Sequence, residues 1–86
     1  METIWVDFNN MGIEGVRLNC VGTLNELREK SIGLIDGLNL LVWSEDHDEN
    51  GNPDNLIVEA IVKYSQIEKC WVAQFDWNCL KNESQL

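Results

Sequence analysis

The sequence predicts a mainly β, small α+β domain: a five-stranded antiparallel curled sheet or barrel with one short helix near residues 24-30. Three observations support this prediction. Apolar and polar residues alternate in several short segments, as they do in half-buried strands. Turn residues separate these segments, and only one stretch changes to helical spacing. The length of 86 residues is enough for one hydrophobic core and too short for two.

The chain opens with two alternating segments, residues 3–8 and 16–20. Turn chemistry between them, at residues 9–12, favours an antiparallel hairpin. The residues expected to face inward from these segments are Ile4, Val6, Phe8, Val16, Leu18 and Cys20.

The helical segment follows the second strand. Thr23 and Glu26 have the spacing of a capping box, in which each side chain satisfies a free backbone N–H of the first helical turn. We therefore predict one helix of about two turns from Leu24 to Lys30, ending before Gly33.

Three further strands are predicted in the second half. Residues 38–43 are apolar on both faces, which is typical of a central strand, and residues 56–64 alternate. In the last strand Trp71, Phe75 and Trp77 share a face and are expected to pack in the core. Residues 1-78 thus form a single small β domain, and residues 79-86 are expected to be a polar, flexible C-terminal tail.

The order of elements from Gly37 onward is an apolar strand, a polar loop, a long strand, a tight turn and the strand Cys70-Trp71-Val72-Ala73. This order resembles small SH3-like β-barrel proteins, including uncharacterised bacterial families, and the resemblance covers residues 34–77. It implies a curled barrel. The clustered aromatic residues with which SH3 domains bind proline-rich peptides are not visible, so that activity is not implied.

Acidic residues dominate the charge. The chain has 15 Asp and Glu against 6 Lys and Arg, a net charge of −9. Such a field repels nucleic acids and anionic membranes, whereas it attracts cations and basic proteins. The three cysteines, Cys20, Cys70 and Cys79, form no C-x-x-C pair, which disfavours a zinc site and a disulfide framework. A reducing cytoplasmic location is expected.

No catalytic signature is present. The chain has no Gly-rich phosphate loop and no nucleophile elbow, and its single His belongs to no local catalytic motif. We therefore predict that the protein is not an enzyme, and no catalytic residue is assigned.

The loop Ser44–Asn55 concentrates oxygen-bearing side chains. Its spacing is similar to the D-x-D-x-N-G-x-x-D loops of several calcium-binding families, and the candidate metal ligands are Asp46, Asp48, Asn50, Asn52 and Asp54. An EF-hand is excluded because Ile57 stands where the bidentate Glu belongs, and because strands flank the loop. Two interpretations stay open: a calcium site, or a polar hairpin tip without any cofactor.

A second apolar face is the main indication of function. Five residues fall outside the inward set of their strands: Trp5, Trp43, Leu41, Ile57 and Ile61. A sheet that is apolar on both sides needs cover, which favours contact with a protein partner or with a second copy in a homo-oligomer. The leading hypothesis is a non-enzymatic acidic domain acting through protein–protein contact, as a homo-oligomer, an adaptor or an inhibitor of a basic partner. The alternatives are a calcium-binding β module using the 46-54 loop and a small-molecule-binding barrel.

Overall fold

The computed structural model describes all 86 residues, and they form six strands and one α-helix. The elements are β1 (Thr3–Trp5), β2 (Val16–Arg17), α1 (Val21–Glu29), β3 (Asn39–Ser44), β4 (Leu56–Ser65), β5 (Cys70–Gln74) and β6 (Lys81–Asn82), with 3-10 turns at Trp77–Cys79 and Glu83–Gln85. The sheet curls into a half-barrel. The predicted class, a mainly β domain with one short helix, is confirmed.

The ten-residue strand β4 is the centre of the sheet. The strand order is β1-β3-β4-β5-β2, and β6 pairs with the beginning of β4 on its own. Every pairing is antiparallel except that of β1 with β3. The sheet is therefore mixed rather than purely antiparallel.

The predicted hairpin between the first two segments is wrong. Strand β1 pairs in parallel with β3, and β2 pairs with β5. A parallel pair requires a crossover connection, and α1 lies within it. The alternation of residues 3–8 predicted which side chains face inward, but it carries no information about the partner strand. A tighter turn forms instead, in which the Gly12 N–H donates to the Gly15 carbonyl at 2.8 Å.

The core lies on the concave side of the sheet and contains most of the predicted inward residues. Its members are Ile4, Val6, Val16, Leu18, Leu27, Leu40, Val42, Val58, Ala60, Val62 and Ala73. Phe8 packs against this core while partly buried, and Cys20 is partly exposed.

Two residues of the last strand differ from the prediction. Trp77, expected in the core, is 58% exposed because β5 ends at Gln74 and the chain leaves the sheet. Val72, which strand alternation places on the face opposite Trp71, is fully buried because the 12–15 turn covers it. The turn approaches so closely that a Cβ on Gly15 would lie 2.5 Å from the Ala73 carbonyl oxygen.

The helix begins earlier than predicted and without the capping box. Its N-cap is Cys20, which makes no side-chain capping bond. Thr23 and Glu26 bond instead to the backbone of β1, as described below.

The C-terminal residues, expected to be a polar, flexible tail, carry secondary structure. Residues 81–86 form β6 and a 3-10 turn, and they contact the acidic loop. The backbone N–H of Glu83 donates to the Asn55 carbonyl at 2.9 Å. The tail therefore lies against the acidic loop and the beginning of β4.

Candidate functional site: an acidic surface around Trp43

The five residues predicted to make partner contacts lie on one face of the sheet. Trp5 pairs with Trp43 across β1 and β3, and Trp43 pairs with Ile57 across β3 and β4. Leu41 and Ile61 belong to neighbouring rows of the same convex face, because side chains two residues apart on a strand share a face. None of the five is fully buried, and Ile61 is 50% exposed.

Trp5 is held at two points. Its indole Nε1–H donates to Glu45 Oε2 at 2.7 Å. Its six-membered ring lies on α1 at Gly22, where a Cβ would come within 3.0 Å of two ring atoms. A glycine in the first turn of a helix thus makes room for the indole.

Side chains of α1 occupy the free edge of β1. Glu26 Oε2 accepts the Trp5 backbone N–H at 2.9 Å, and Thr23 Oγ1 donates to the Trp5 carbonyl at 2.8 Å. Lys30 Nζ lies 2.9 Å from Glu26 Oε1 and also bonds to the Thr3 carbonyl. The Trp5 N–H and the Trp5 and Thr3 carbonyls of this edge are therefore satisfied by side chains, so an incoming strand would have to displace them.

Two hollows flank Trp43, and we call them the helix-side hollow and the tail-side hollow. The helix-side hollow has a volume of 540 Å³ and is lined by Trp5, Gly22, Glu26, Glu29, Trp43 and Glu45, with Asn25 and Lys30. The tail-side hollow measures 290 Å³ and is lined by Thr3, Glu26, Trp43, Asn55, Ile57 and Glu83. Trp43 and Glu26 line both hollows.

The charge around Trp43 is strongly negative. The two hollows together carry four glutamates, Glu26, Glu29, Glu45 and Glu83, against the single cation Lys30. A carboxylate beside an indole face is an environment in which a cationic group gains both ion pairing and a cation–π contact. The arrangement therefore suits a positively charged side chain.

The sequence prediction identified the tryptophans and missed these glutamates. Glu45 follows Trp43 by two positions, and this spacing could have indicated a shared face. Glu26 and Glu29 belong to a helix whose position beside β1 depends on the unpredicted parallel pairing. Glu83 lies in the segment that was expected to be a flexible tail.

The acidic loop is a hairpin with its own internal bonds. Asp48 Oδ1 accepts the backbone N–H groups of Asn50 and Asn52, both at 2.9 Å, and the Asp48 N–H donates to the Asn52 carbonyl. The donated N–H of Asn52, followed by that of Asn50, holds the pKa of Asp48 below its ordinary value.

The other two carboxylates among the candidate metal ligands, Asp46 and Asp54, bond to the C-terminal tail. Asp46 Oδ2 accepts from Asn82 Nδ2 at 2.9 Å, and this bond, followed by the His47 N–H, lowers the pKa of Asp46. Asp54 accepts both the backbone N–H and the hydroxyl of Ser84, at 2.9 and 2.6 Å. We call these contacts the loop–tail clasp.

The candidate calcium ligands are thus used in separate hydrogen bonds. Asp46 and Asp54 bond to the tail, whereas Asp48 bonds within the loop, and no group of three or more His, Cys, Asp or Glu side chains is arranged to hold a metal ion. Calcium binding at residues 46–54 stays a prediction.

A third hollow lies farther along the convex face, and we call it the Ile61 hollow. It has a volume of 520 Å³, and its apolar lining comprises Leu41, Ile61, Phe75, Cys79 and Leu86. Leu41 and Ile61 are two of the predicted contact residues.

No helix of the structure is long and apolar enough to span a lipid bilayer. Comparisons of this chain with protein-family models, with curated proteins and with solved structures give no match. The resemblance to SH3-like barrels therefore stays a prediction, and inference about function depends on the geometry around Trp43.

Proposed function

We propose that this protein is a non-enzymatic, cytoplasmic domain that binds a basic protein partner, as an adaptor or an inhibitor, through the helix-side hollow. One observation supports this most directly. The hollow places Trp5 and Trp43 next to Glu26, Glu29 and Glu45 on the exposed face of the sheet.

The free acceptors in the hollow favour a cationic ligand. Glu29 makes no hydrogen bond or ion pair within the protein, and Glu45 uses only its Oε2, in the bond to Trp5. Unfilled carboxylate oxygens beside an aromatic surface can accept N–H donors of lysine or arginine. The net charge of −9 steers such a partner toward the protein.

The mode of contact follows from the occupied edge of β1. Because Glu26 and Thr23 already bond to the Trp5 backbone, recognition by adding a strand at this edge is disfavoured. A partner is therefore expected to bind through side-chain contacts on the convex face, with Trp43 as the aromatic anchor.

The proposal is tested by calorimetric titration of the whole chain with a short arginine-rich peptide and with a matched peptide containing citrulline in place of arginine. We expect binding only of the arginine peptide, weakened by added salt. Glu29→Gln should weaken it about two- to fivefold, and Trp43→Ala about tenfold or more.

The matched control is Glu49→Gln, which removes the same charge from the exposed tip of the acidic loop. It should leave the affinity close to that of the parent protein. Equal losses of affinity in Glu29→Gln and Glu49→Gln would mean that binding depends only on the overall charge of the protein. That result would contradict a site at the helix-side hollow.

Self-association is a second candidate, favoured by a different observation. Ile61, at the centre of β4, is half exposed and borders the Ile61 hollow together with Leu41 and Leu86. A second copy would cover this apolar surface, which is the homo-oligomer predicted from the sequence. Small-molecule binding and calcium binding stay alternatives without a comparable observation.

A further inference from the structure

Trp43 stands between two acidic hollows rather than beside one. Trp5, Trp43 and Ile57 form a row across β1, β3 and β4. The helix-side hollow is lined by the first two residues of this row, and the tail-side hollow by the last two. Each hollow has its own glutamate that the other lacks, Glu29 on one side and Glu83 on the other.

We propose that the partner presents an extended segment with two arginines at alternate positions, one entering each hollow while the intervening backbone crosses Trp43. This inference rests on the proposed function and specifies its ligand. It goes further in assigning the tail-side hollow and Glu83 to the binding surface.

The spacing of the row supports alternate positions. Neighbouring strands are about 4.8 Å apart, so the centres of hollows on the two sides of Trp43 are separated by about 5–10 Å. In an extended segment, side chains at alternate positions point to the same side and are about 7 Å apart, whereas adjacent side chains point to opposite sides. Two adjacent arginines therefore cannot fill both hollows from one extended backbone.

An extended ligand segment is favoured over a helical one because a short, highly charged helix is unstable. A short peptide carrying several like charges repels itself and extends, and isolated helices shorter than about 12–15 residues are marginal in water.

Arginine is favoured over lysine by the composition of both hollows. A planar guanidinium can stack on an indole while its edge donates to a neighbouring carboxylate, which the compact ammonium of lysine does less well. Each hollow offers both an indole and carboxylates, because Trp43 and at least two glutamates line each of them.

The test uses peptides of equal length and charge, with two arginines placed adjacent, separated by one serine, or separated by three serines, the four-residue spacing that shares one face of a helix. A further peptide contains a single arginine. Each is titrated into the whole chain by calorimetry, and the indole N–H signals of the four tryptophans are followed by NMR. We expect the alternate spacing to bind about three- to fivefold more tightly than the adjacent spacing.

Two variants report on the hollows separately. Glu29→Gln and Glu83→Gln should each weaken the alternate peptide, relative to the control Glu49→Gln. Both keep a carbonyl acceptor in place, so the contact between Glu83 and Asn55 Nδ2 at 3.4 Å can persist. For the peptide whose arginines are separated by one serine, the two variants should lose similar amounts of affinity. For the single-arginine peptide the losses of affinity should be smaller, because one arginine side chain can enter either hollow.

The possible failures are distinguishable. If Glu29→Gln weakens binding but Glu83→Gln does not, or if all spacings bind equally at the hollow, the two-hollow inference is overturned and the proposed function stands. If the four-residue spacing binds best, a helical ligand replaces the extended one. If no arginine peptide binds, or if both variants match Glu49→Gln, the inference and the proposed function are overturned together.

Discussion

Gly22 is a residue whose replacement by a larger one should displace Trp5 and so alter the surface around Trp43. The Trp5 ring occupies the space where a side chain at position 22 would begin, and the bond to Glu45 limits how far the indole can move. Alanine in a helix is favoured over glycine by about 1 kcal/mol, which offsets part of the steric cost of one methyl group. A larger, branched side chain has no such compensation.

We therefore expect Gly22→Val to lower the free energy of unfolding by about 1–3 kcal/mol, the usual cost of overpacking. Urea denaturation measures this cost, and a shift of the Trp5 indole N–H signal in NMR would show that the ring has moved. The matched control is Gly33→Val, because a side chain at Gly33 meets no atom within 4 Å. A Gly22→Val protein as stable as that control would contradict the close packing of Trp5.

Glu14 is a second residue with an identifiable energetic role. Its carboxylate accepts from Lys63 Nζ and from the buried Ser65 hydroxyl, both at 2.7 Å. Lys63 first, and Ser65 second, lower the pKa of Glu14 below its ordinary value of 4.5. The pKa of Lys63 is raised in turn by Glu14. These bonds fasten the turn at residues 12–15 onto the end of β4.

The sign of the pH dependence follows from the lowered pKa. A carboxylate with a lowered folded-state pKa stabilises the fold above its unfolded-state pKa, and this stabilisation is lost as the pH falls through the folded-state value. Glu14→Gln should therefore be less stable than the parent protein at neutral pH. The difference should shrink below pH 4.5 and vanish in stronger acid.

Urea denaturation of both proteins from neutral pH down to about pH 2.5 measures this convergence. On the alkaline side, the pair is lost as the pH rises through the raised pKa of Lys63, above 10.5. A stability difference that stays constant throughout the acid range would contradict the assigned role of Glu14.

At the level of elements, the loop–tail clasp connects parts of the chain that are far apart in sequence. Asn82 donates both to Asp46 Oδ2 and to the Asp54 carbonyl. The acidic loop is thereby held against β6, close to the tail-side hollow that Glu83 lines. The position of Glu83 on the proposed binding surface depends on this clasp.

The clasp gives a prediction that separates two carboxylates of one loop. Asn82→Ala removes the first cause of the lowered pKa of Asp46, so this pKa should rise toward 3.8. The pKa of Asp48 should stay low, because its donors Asn52 and Asn50 lie within the loop. Carboxyl-detected NMR titration measures both values in the same sample. Equal changes at Asp46 and Asp48 would show that the loop has unfolded as a whole.

Calcium binding by the loop is tested on the same protein. In the described arrangement Asp46 and Asp54 are bonded to the tail and Asp48 to the loop backbone, so we expect no saturable shift below about 1 mM calcium. Backbone amide NMR, with magnesium as the control ion, measures this directly. Shifts confined to residues 45–56 that saturate below that concentration, and that Asp48→Ala abolishes, would instead establish the calcium-binding module.

The sequence could predict the elements because their signals are local. Alternation identified the inward faces of β1 and β4, and Ile4, Val58 and Val62 are buried as expected. Strand partners are not local information: the parallel pairing of β1 with β3 depends on where α1 packs. The same limit explains why Glu26 and Glu83 were missed as parts of the site.

The whole molecule combines high negative charge with an apolar convex face, and these properties have opposite consequences for salt dependence. Added salt weakens the attraction of a basic partner, whereas it screens the repulsion between two copies that each carry a charge of −9. Salt dependence therefore separates the two candidate functions without knowledge of the partner.

For self-association, we expect sedimentation equilibrium at about 100 μM protein to show a dimer or larger species that salt strengthens. Ile61→Glu should return the protein to its monomer mass of 9.9 kDa, because it places a charge at the centre of the Ile61 hollow. The control is Ile67→Glu, on a residue 69% exposed in the turn between β4 and β5. A monomer in the parent protein at all salt concentrations would contradict the homo-oligomer.

The side chains of α1 that bond to β1 have a further consequence, for aggregation. Residues 3–6 are rich in residues with high β-propensity, and an exposed edge of this kind is a template on which other chains can assemble into fibrils. Thr23 and Glu26 occupy part of this edge by bonding to the Trp5 carbonyl and amide. Losing both side chains would leave these groups free, so we expect a folded variant lacking them to aggregate more readily through this edge.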